Sequence, residues 1–286
     1  MPSDPEPPIS TRTRSKSIRS SPTKPEGDSI IPQLLILGFF SNCYLLYTLH
    51  HLPWCSVIPN LSRCFIFVNA FRCVWPNRYN KNVVLHDTPL SSIFLTRLLA
   101  TFSEVAWLLL LGLVAMQYAP FDEETEIPFL YSFGAGLLPG LCAMAQCFVW
   151  SSLILRTDSL MFYEESTWLV MFILNTSINA YIWFHGVRSP LVIISLVFGF
   201  LYLPWQAYFH LGLIVSLKDK PLTASKMTLK NAKLGLVRAC KYRNKTKKLV
   251  DWGGWTGVTW MVAYWWAEPV WIAAIAWVME KDGKIV

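Results

Sequence analysis

The feature that most constrains this chain is a series of apolar stretches, each long enough to cross the hydrocarbon core of a bilayer. A helical crossing needs about 20 apolar residues. Six segments meet that length, and Arg97 is the only Lys or Arg inside any of them. The predicted spans cover residues 31–52, 92–118, 129–155, 166–185, 190–216 and 254–279. We therefore expect an all-α polytopic bundle of about six transmembrane helices.

The composition supports this expectation. Hydrophobic residues make up 53% of the chain and charged residues only 15%, whereas a soluble domain carries roughly 25% charged residues. Fourteen Trp and seventeen Phe are also present. A surface of this kind aggregates in water and is ordinary in lipid. We expect an integral, multi-pass membrane protein.

The domain organisation follows from the change in composition near residue 29. Residues 1–28 are rich in Pro, Ser, Thr and Arg without an apolar period, which is typical of a disordered tail. Residues 29–286 then form a single transmembrane domain. A further apolar stretch, 60–75, is short and contains Arg63 and Arg72, which favours a helix lying at the membrane interface.

Basic residues bias the predicted orientation. With six spans, the loops 53–91, 156–165 and 218–253 share one face and carry sixteen Lys or Arg, against eight on the opposite face with the tail. The positive-inside rule then places those three loops in the cytosol and both termini outside. That result conflicts with the tail, whose basic run 12–17 and Ser21–Pro22 pair would suit cytosolic kinases. The conflict disappears if 60–75 crosses the membrane or the first span does not.

The loop 218–253 is the most basic part of the chain, with eleven Lys or Arg. Leu222, Leu229 and Leu236 recur every seven residues, which predicts an amphipathic helix capped by Thr223 or Ser225. The residues expected to contact anionic lipid head groups are Lys241, Arg243, Lys245, Lys247 and Lys248. The same charges also act as a topology determinant, and a third possibility is binding of a substrate phosphate. Nucleic acid is not an expected partner.

Ionisable side chains inside a membrane span cost free energy and point to function. Glu104 and Glu268 lie near the middle of the second and sixth spans, and both are candidates for acid–base catalysis. The candidate substrate-binding residues are Arg97, Gln146, Asn175, His210, Glu164 and Glu165. Glu164 and Glu165 come just before the fourth span and form a separate acidic site. The other candidates, with amides such as Asn179 and Gln206, predict one polar layer at mid-membrane depth.

Three interpretations of this layer compete. It encloses the head group of a substrate, with Glu104 as acid or base and Arg97 or His210 as charge partner. Alternatively, Glu104 and Glu268 line an ion or proton path. In the third interpretation the polar groups hydrogen-bond across the bundle and only hold helices together.

Spacing adds detail to two of these candidates. Arg97 and Glu104 share a helix face but are about 10 Å apart along the axis, which predicts no direct contact. Glu164 and Glu165 precede a helix expected to begin at Trp168, where the helix dipole favours acids. They mark either that helix terminus or a site on the cytosolic face for a substrate or cation.

The last span carries many aromatic residues around its acid. Positions 260, 264, 268 and 271 share one helix face, which predicts Trp260, Tyr264 and Trp271 beside Glu268. Rings around a carboxylate suit a quaternary ammonium or a planar lipid. Facing lipid is the alternative role for these rings.

Several kinds of site are not indicated. The sequence contains no Gly-rich phosphate loop, GxSxG, CxxC or HxxxH motif. No metal and no cofactor is predicted. The expected function is the handling of a lipophilic or small charged substrate, by transport or by acid–base chemistry in the polar layer. The alternative is a non-catalytic membrane component that binds partner proteins, anionic lipids or further copies of itself.

Overall fold

The structure is a computed structural model that describes residues 30–79, 82–120, 129–157, 159–211 and 228–284. Within these ranges, the side chains of Phe129, Leu130, Phe209 and His210 are outside the description. The predicted tail, 1–28, and the first part of the basic loop also lie outside the described residues.

Helices account for most of the described chain. In chain order they are α1 Ile30–Leu49, α2 Val57–Val74, α3 Ile93–Gln117, α4 Phe129–Leu155, α5 Ser159–Phe184, α6 Pro190–Pro204, α7 Leu229–Lys241, α8 Gly254–Val262 and α9 Glu268–Lys281. A π-helical turn, Trp205–His210, follows α6, and a second one, Ala263–Ala267, joins α8 to α9. A 3₁₀ turn, Pro89–Ser91, precedes α3.

Seven of the described helical segments are long and apolar enough to cross a membrane. They are α1 to α5, Pro190–Tyr208, and the α8–α9 segment Gly254–Lys281. The all-α prediction is confirmed, whereas the count of six is not. The additional segment is α2, which the sequence assigned to the membrane interface.

The contacts of Arg63 show why α2 was wrongly assigned to the membrane interface. Arg63 donates from Nη2 to the carbonyl oxygens of Leu49 and Leu52, at 2.7 and 2.6 Å, and from Nη1 to Asn60 Oδ1 at 2.6 Å. Its charge is therefore satisfied by the end of α1 instead of by head groups. More than half of α2 is buried inside the bundle, as expected for an internal helix and not for one lying on a surface.

Helix packing follows chain order. Each of α1 to α5 packs on the next, and α9 returns against α2. α3 and α4 approach closely at Gly112, where a Cβ atom would lie 2.7 Å from the carbonyl oxygen of Ala135. The bundle is thereby closed around a shared interior to which α2, α3, α5, α6 and α9 contribute.

The helix predicted in the basic loop is α7, and its described part begins later than expected. Thr228 caps it, with Oγ1 accepting from the backbone N–H of Asn231 at 3.2 Å, so Thr223 and Ser225 do not cap it. Gly235 lies directly on α4, because a Cβ there would be 1.9 Å from the carbonyl oxygen of Ile154. Leu229 and Leu236 are exposed, and the buried face of α7 is formed by Gly235 and Ala239.

A small sheet attaches the basic segment to one end of the bundle. It has the order β1 Asn77–Arg78, β2 Val83–Val84, β3 Asn244–Lys245, with β1–β2 antiparallel and β2–β3 parallel. Arg243 Nε donates to Asp87 Oδ1 at 2.6 Å. The basic segment therefore folds back onto the loop between α2 and α3.

Candidate functional site

A cavity lies among α2, α3, α5, α6 and the α8–α9 segment, with about 70 Å³ open to the centre of a water molecule. Its charged lining consists of Arg72, Arg97, Glu104, Glu164, Glu165 and Glu268. The aromatic lining consists of Tyr79, Trp107, Trp168, Phe172, Tyr202, Trp260 and Tyr264. Arg97 and Glu268, predicted from charge inside a span, and Glu164 and Glu165, predicted just before one, thus meet Glu104 in a single space.

The cavity is not a flat layer at mid-depth. Tyr79 belongs to the loop after α2, and Arg72 lies near the end of α2 next to that loop, whereas Glu104 lies in the middle of α3. The lining therefore extends from the end of the bundle that carries the small sheet to the middle of the helices. The single central layer expected from the sequence is replaced by a pocket in one half of the bundle.

Glu104 is fully engaged. Its Oε2 accepts from Arg97 Nη2 at 2.6 Å and from Gln146 Nε2 at 2.7 Å, and its Oε1 accepts from the Tyr264 hydroxyl at 2.7 Å. Arg97 Nη2 also donates to Gln146 Oε1 at 2.6 Å. We call Arg97, Glu104, Gln146 and Tyr264 the closed corner.

The closed corner corrects one prediction. The direct Arg97–Glu104 ion pair was expected to be out of reach because the two residues are two turns apart. The contact forms because both side chains are long and lie on the same face of α3, so they span the axial separation between their backbones. Gln146 therefore supports the charge pair instead of lining the cavity.

Glu164 and Glu268 differ from Glu104. Each is 3% exposed, and in the described part of the protein the Oε2 atom of each has no hydrogen-bond partner. The nearest recorded cation to Glu164 is Arg97 Nη2, at 3.9 Å from Oε1. A buried carboxylate oxygen without a partner is costly. We call Glu164 and Glu268 the open side.

Arg72 was not among the predicted site residues. Its guanidinium carbon lies 4.7 Å from the centroid of the Tyr264 ring and 5.0 Å from that of Trp265. Within the described residues its Nε and Nη1 atoms have no hydrogen-bond partner. The sequence signal was present, because an arginine inside a span is a site candidate, but α2 had been assigned to the interface.

Glu165 is held across the α5–α6 interface. Gln206 Nε2 donates to Glu165 Oε2 at 2.9 Å and to the Glu165 carbonyl oxygen at 3.0 Å. Gln206 lies in the π-helical turn after α6. The predicted helix start at Trp168 is wrong, because α5 begins at Ser159 and places both acids inside the helix.

Aromatic rings close the deep end of the cavity. Trp107 is 2% exposed and packs on Phe65, Phe172 and Trp271 with ring centroids 5.5, 5.3 and 5.9 Å apart. We call this group the aromatic floor. Trp271 thus belongs to the floor, while Trp260 and Tyr264, which were predicted to share its face, line the cavity with Glu268.

The remaining predicted residues lie elsewhere. Asn175 is buried but does not line the cavity, and it accepts from Asn179 Nδ2 on the same helix at 2.8 Å. The side chain of His210 is outside the described residues. The basic residues lie far along the chain on α7 and the segment after it: Lys241, Lys245, Lys247 and Lys248 are exposed, and Arg243 is partly buried against Asp87.

Tyr79 lies between the small sheet and the cavity. The residue as a whole is partly exposed, but burial of its phenol group raises the pKa of Tyr79 well above its ordinary value, and the nearby Glu164 and Glu165 raise this pKa further. The hydroxyl is therefore protonated at neutral pH and is available as a hydrogen-bond donor.

Taken together, the fold and site define a helical protein with seven helices apt to cross a membrane and a charged, aromatic-walled cavity in one half of the bundle. Comparison of this chain with known protein families, with curated proteins and with solved structures finds no match in any of the three.

Proposed function

We propose that this chain is a multi-pass membrane protein that takes a small substrate into the buried cavity and acts on it by acid–base chemistry or by transport. The observation that carries the proposal is the open side. Its two buried carboxyl groups, Glu164 and Glu268, line a cavity, and each has an oxygen without a partner among the residues that the structure describes. Groups that serve only to hold helices together would be paired, as Glu104 is.

Charge distribution supports a seven-span topology. With the seven helical segments as spans, the tail and the loops 75–92, 156–158 and 209–253 share one side and contain nineteen Lys or Arg, against two on the other side. This imbalance is larger than the sixteen against eight of the six-span arrangement, and it moves the tail to the basic side. By the positive-inside rule the basic side is cytosolic.

In this topology the cavity extends from the basic side to the middle of the membrane. Tyr79 and Arg72 lie at the basic side, and Glu104 lies at mid-depth. A substrate would therefore enter from the cytosol. Acid–base chemistry requires only this one-sided cavity, with Glu268 and Glu164 as the exchanging groups. Transport requires, in addition, that the rings of the aromatic floor around Trp107 move apart.

The proposal is tested by filling the cavity without changing its charges. Phe172→Trp enlarges a buried lining side chain, while Phe200→Trp makes the same change at a position that is 82% exposed. The full chain is released from nanodiscs and weighed by native mass spectrometry. We expect a small-molecule adduct on wild type and on Phe200→Trp, and none on Phe172→Trp.

Two outcomes of this experiment contradict the proposal. One is an adduct that persists at full occupancy in Phe172→Trp. The other is the absence of an adduct from every sample, including wild type. Folding of Phe172→Trp is checked by gel filtration and thermal unfolding, since overpacking a buried position costs about 1–3 kcal/mol.

A second candidate function concerns anionic lipid. Lys241, Lys245, Lys247 and Lys248 are exposed, and the neighbouring Tyr242 and Val250 expose apolar surface. Each basic residue near a membrane contributes about 1 kcal/mol of attraction to anionic head groups. This role is the non-catalytic alternative and is compatible with a cavity function.

Lipid binding is tested on the full chain in an uncharged detergent. Dioctanoyl phosphatidylserine is titrated at low and high NaCl and compared with dioctanoyl phosphatidylcholine. We expect preference for the serine lipid, steep weakening with salt, and loss of the preference in a Lys245, Lys247 and Lys248 to Gln variant. Lys281→Gln, an exposed lysine at the other side, is the matched control. Salt-independent binding would reject this function.

A further inference from the structure

We propose that the ligand of the cavity is an organic ammonium cation, held between the carboxylates of the open side and the aromatic wall. This inference rests on the proposed function, because it specifies the class of substrate for the same cavity. It is carried by the balance of charge in the lining, the partnerless oxygens and the faces of the aromatic rings.

The balance of charge in the cavity lining favours a cation. The lining contains four carboxyl groups and two guanidinium groups. In the closed corner Arg97 neutralises Glu104 through a 2.6 Å contact. Glu165 is engaged by Gln206. Glu164 and Glu268 then remain with one guanidinium, that of Arg72, so the lining carries an excess of negative charge when both carboxyl groups are ionised. A bound anion would increase the imbalance in a region of low dielectric constant.

The carboxyl oxygens of the open side also favour a cation. Glu164 approaches the cavity from α5 and Glu268 from the start of α9, and the Oε2 atom of each lacks a partner among the described residues. A ligand with ammonium character supplies the positive charge, and where it carries N–H groups also the hydrogen bonds, that these oxygens lack. Both residues are 97% buried, so leaving these oxygens without a partner is costly.

The aromatic side chains that line the cavity favour a cation as well, and we call them the aromatic wall. Trp260 and Tyr264 are stacked in parallel, with ring centroids 5.8 Å apart and 7° between their planes, and Trp168, Phe172 and Tyr202 also line the cavity. Aromatic faces attract cations and repel anions. The wall already holds one cation, since the Arg72 guanidinium lies over the Tyr264 ring.

The size of the cavity and the side chains that line it further restrict the class of ligand. The 70 Å³ open to the centre of a water molecule accommodates roughly five waters, which corresponds to a small organic ion. Within the described ranges no group of three metal-ligating side chains occurs, and aromatic carbon does not coordinate hard metal ions. An organic cation satisfies the carboxylates and the rings together.

The test uses radiolabelled choline with the full chain in nanodiscs of uncharged lipid. Wild-type protein is challenged with unlabelled choline, with 3,3-dimethylbutan-1-ol as its neutral isostere, and with glycine betaine as a zwitterion. A parallel series replaces choline with butylammonium and uses butan-1-ol as its neutral match. We expect ammonium ions to bind and the neutral isosteres to compete at least about thirtyfold more weakly.

Variants then locate the binding. Glu164→Gln and Glu268→Gln are each expected to weaken ammonium binding by about thirtyfold or more. Glu280→Gln, a change of the same kind at an exposed position of α9, leaves binding unchanged. Because the competition series uses wild-type protein, it remains decisive if a variant fails to fold.

The remaining outcomes overturn one proposal or the other. Neutral isosteres or betaine that bind as well as choline would overturn the ammonium inference while leaving a functional cavity in place. The same conclusion follows if no ammonium probe binds but the small-molecule adduct is present in native mass spectra. If no adduct forms and no probe of any charge binds, both the proposed function and the inference are wrong.

Discussion

The closed corner and the open side line the same cavity but solve the problem of buried charge in opposite ways. Glu104 accepts hydrogen bonds from three side chains and has an arginine as counter-ion. Glu164 and Glu268 are buried to a similar degree, yet within the described part of the chain each has an oxygen without a partner. The difference teaches that a buried glutamate is not by itself a functional residue. Its unsatisfied bonding capacity is what distinguishes a site from a structural pair.

The largest expected effect is in the closed corner. Among the described residues, Glu104 is the one carboxylate within 3 Å of Arg97. Glu104→Gln removes it and should lower the free energy of unfolding by about 3–5 kcal/mol, the usual result of breaking one half of a buried pair. Unfolding in detergent by SDS titration measures this change. Glu280→Gln serves as control, and a Glu104→Gln protein of wild-type stability would remove the distinction between the two regions.

A smaller loss is expected from Tyr264→Phe. This change leaves the ring and its stack with Trp260 in place and deletes the hydroxyl that donates to Glu104 Oε1 at 2.7 Å. A hydrogen bond to a charged group contributes about 1.5–3 kcal/mol, and the free energy of unfolding should fall by that amount. Tyr44→Phe, at a position that is 66% exposed, should change nothing. Equal effects at both positions would show that Tyr264 acts through packing only.

The smallest effect on stability is expected at the open side. Glu268→Gln replaces a buried carboxyl group whose Oε2 atom has no partner among the described residues, so the free energy of unfolding should stay unchanged or rise slightly. Ligand binding falls in the same protein, as described above. Thermal unfolding with and without choline measures both properties together. A destabilisation as large as that of Glu104→Gln would place Glu268 among the structural residues.

The buried acids could be predicted from the sequence, but whether each of them has a hydrogen-bonding partner could not. Glu104 and Glu268 are predictable because an acid in an apolar span is expensive wherever its helix packs. Whether such an acid is paired depends on side chains distant in sequence, such as Tyr264 for Glu104, and one sequence carries no signal for that contact. The Arg97–Glu104 pair was missed for a different reason, because axial spacing ignores the length of both side chains.

The errors in helix assignment have a common cause. α2 was placed at the interface because it contains Arg63 and Arg72, and α5 was started at Trp168 because Glu164 and Glu165 come before it. In each case a charge was taken to require water. Internal partners removed that requirement: the α1 carbonyl groups for Arg63 and Gln206 for Glu165. Once α2 is internal, Arg72 becomes part of the site.

The way Arg63 is satisfied also bears on how the chain is made. An arginine at the centre of a lone inserting helix costs about 2.5–3.5 kcal/mol, and α2 is only 18 residues long. The carbonyl groups that accept from Arg63 belong to Leu49 and Leu52, at the end of the preceding helix and just after it. With α1 and α2 as spans, as proposed above, we therefore expect the two helices to insert into the bilayer together as a helical hairpin.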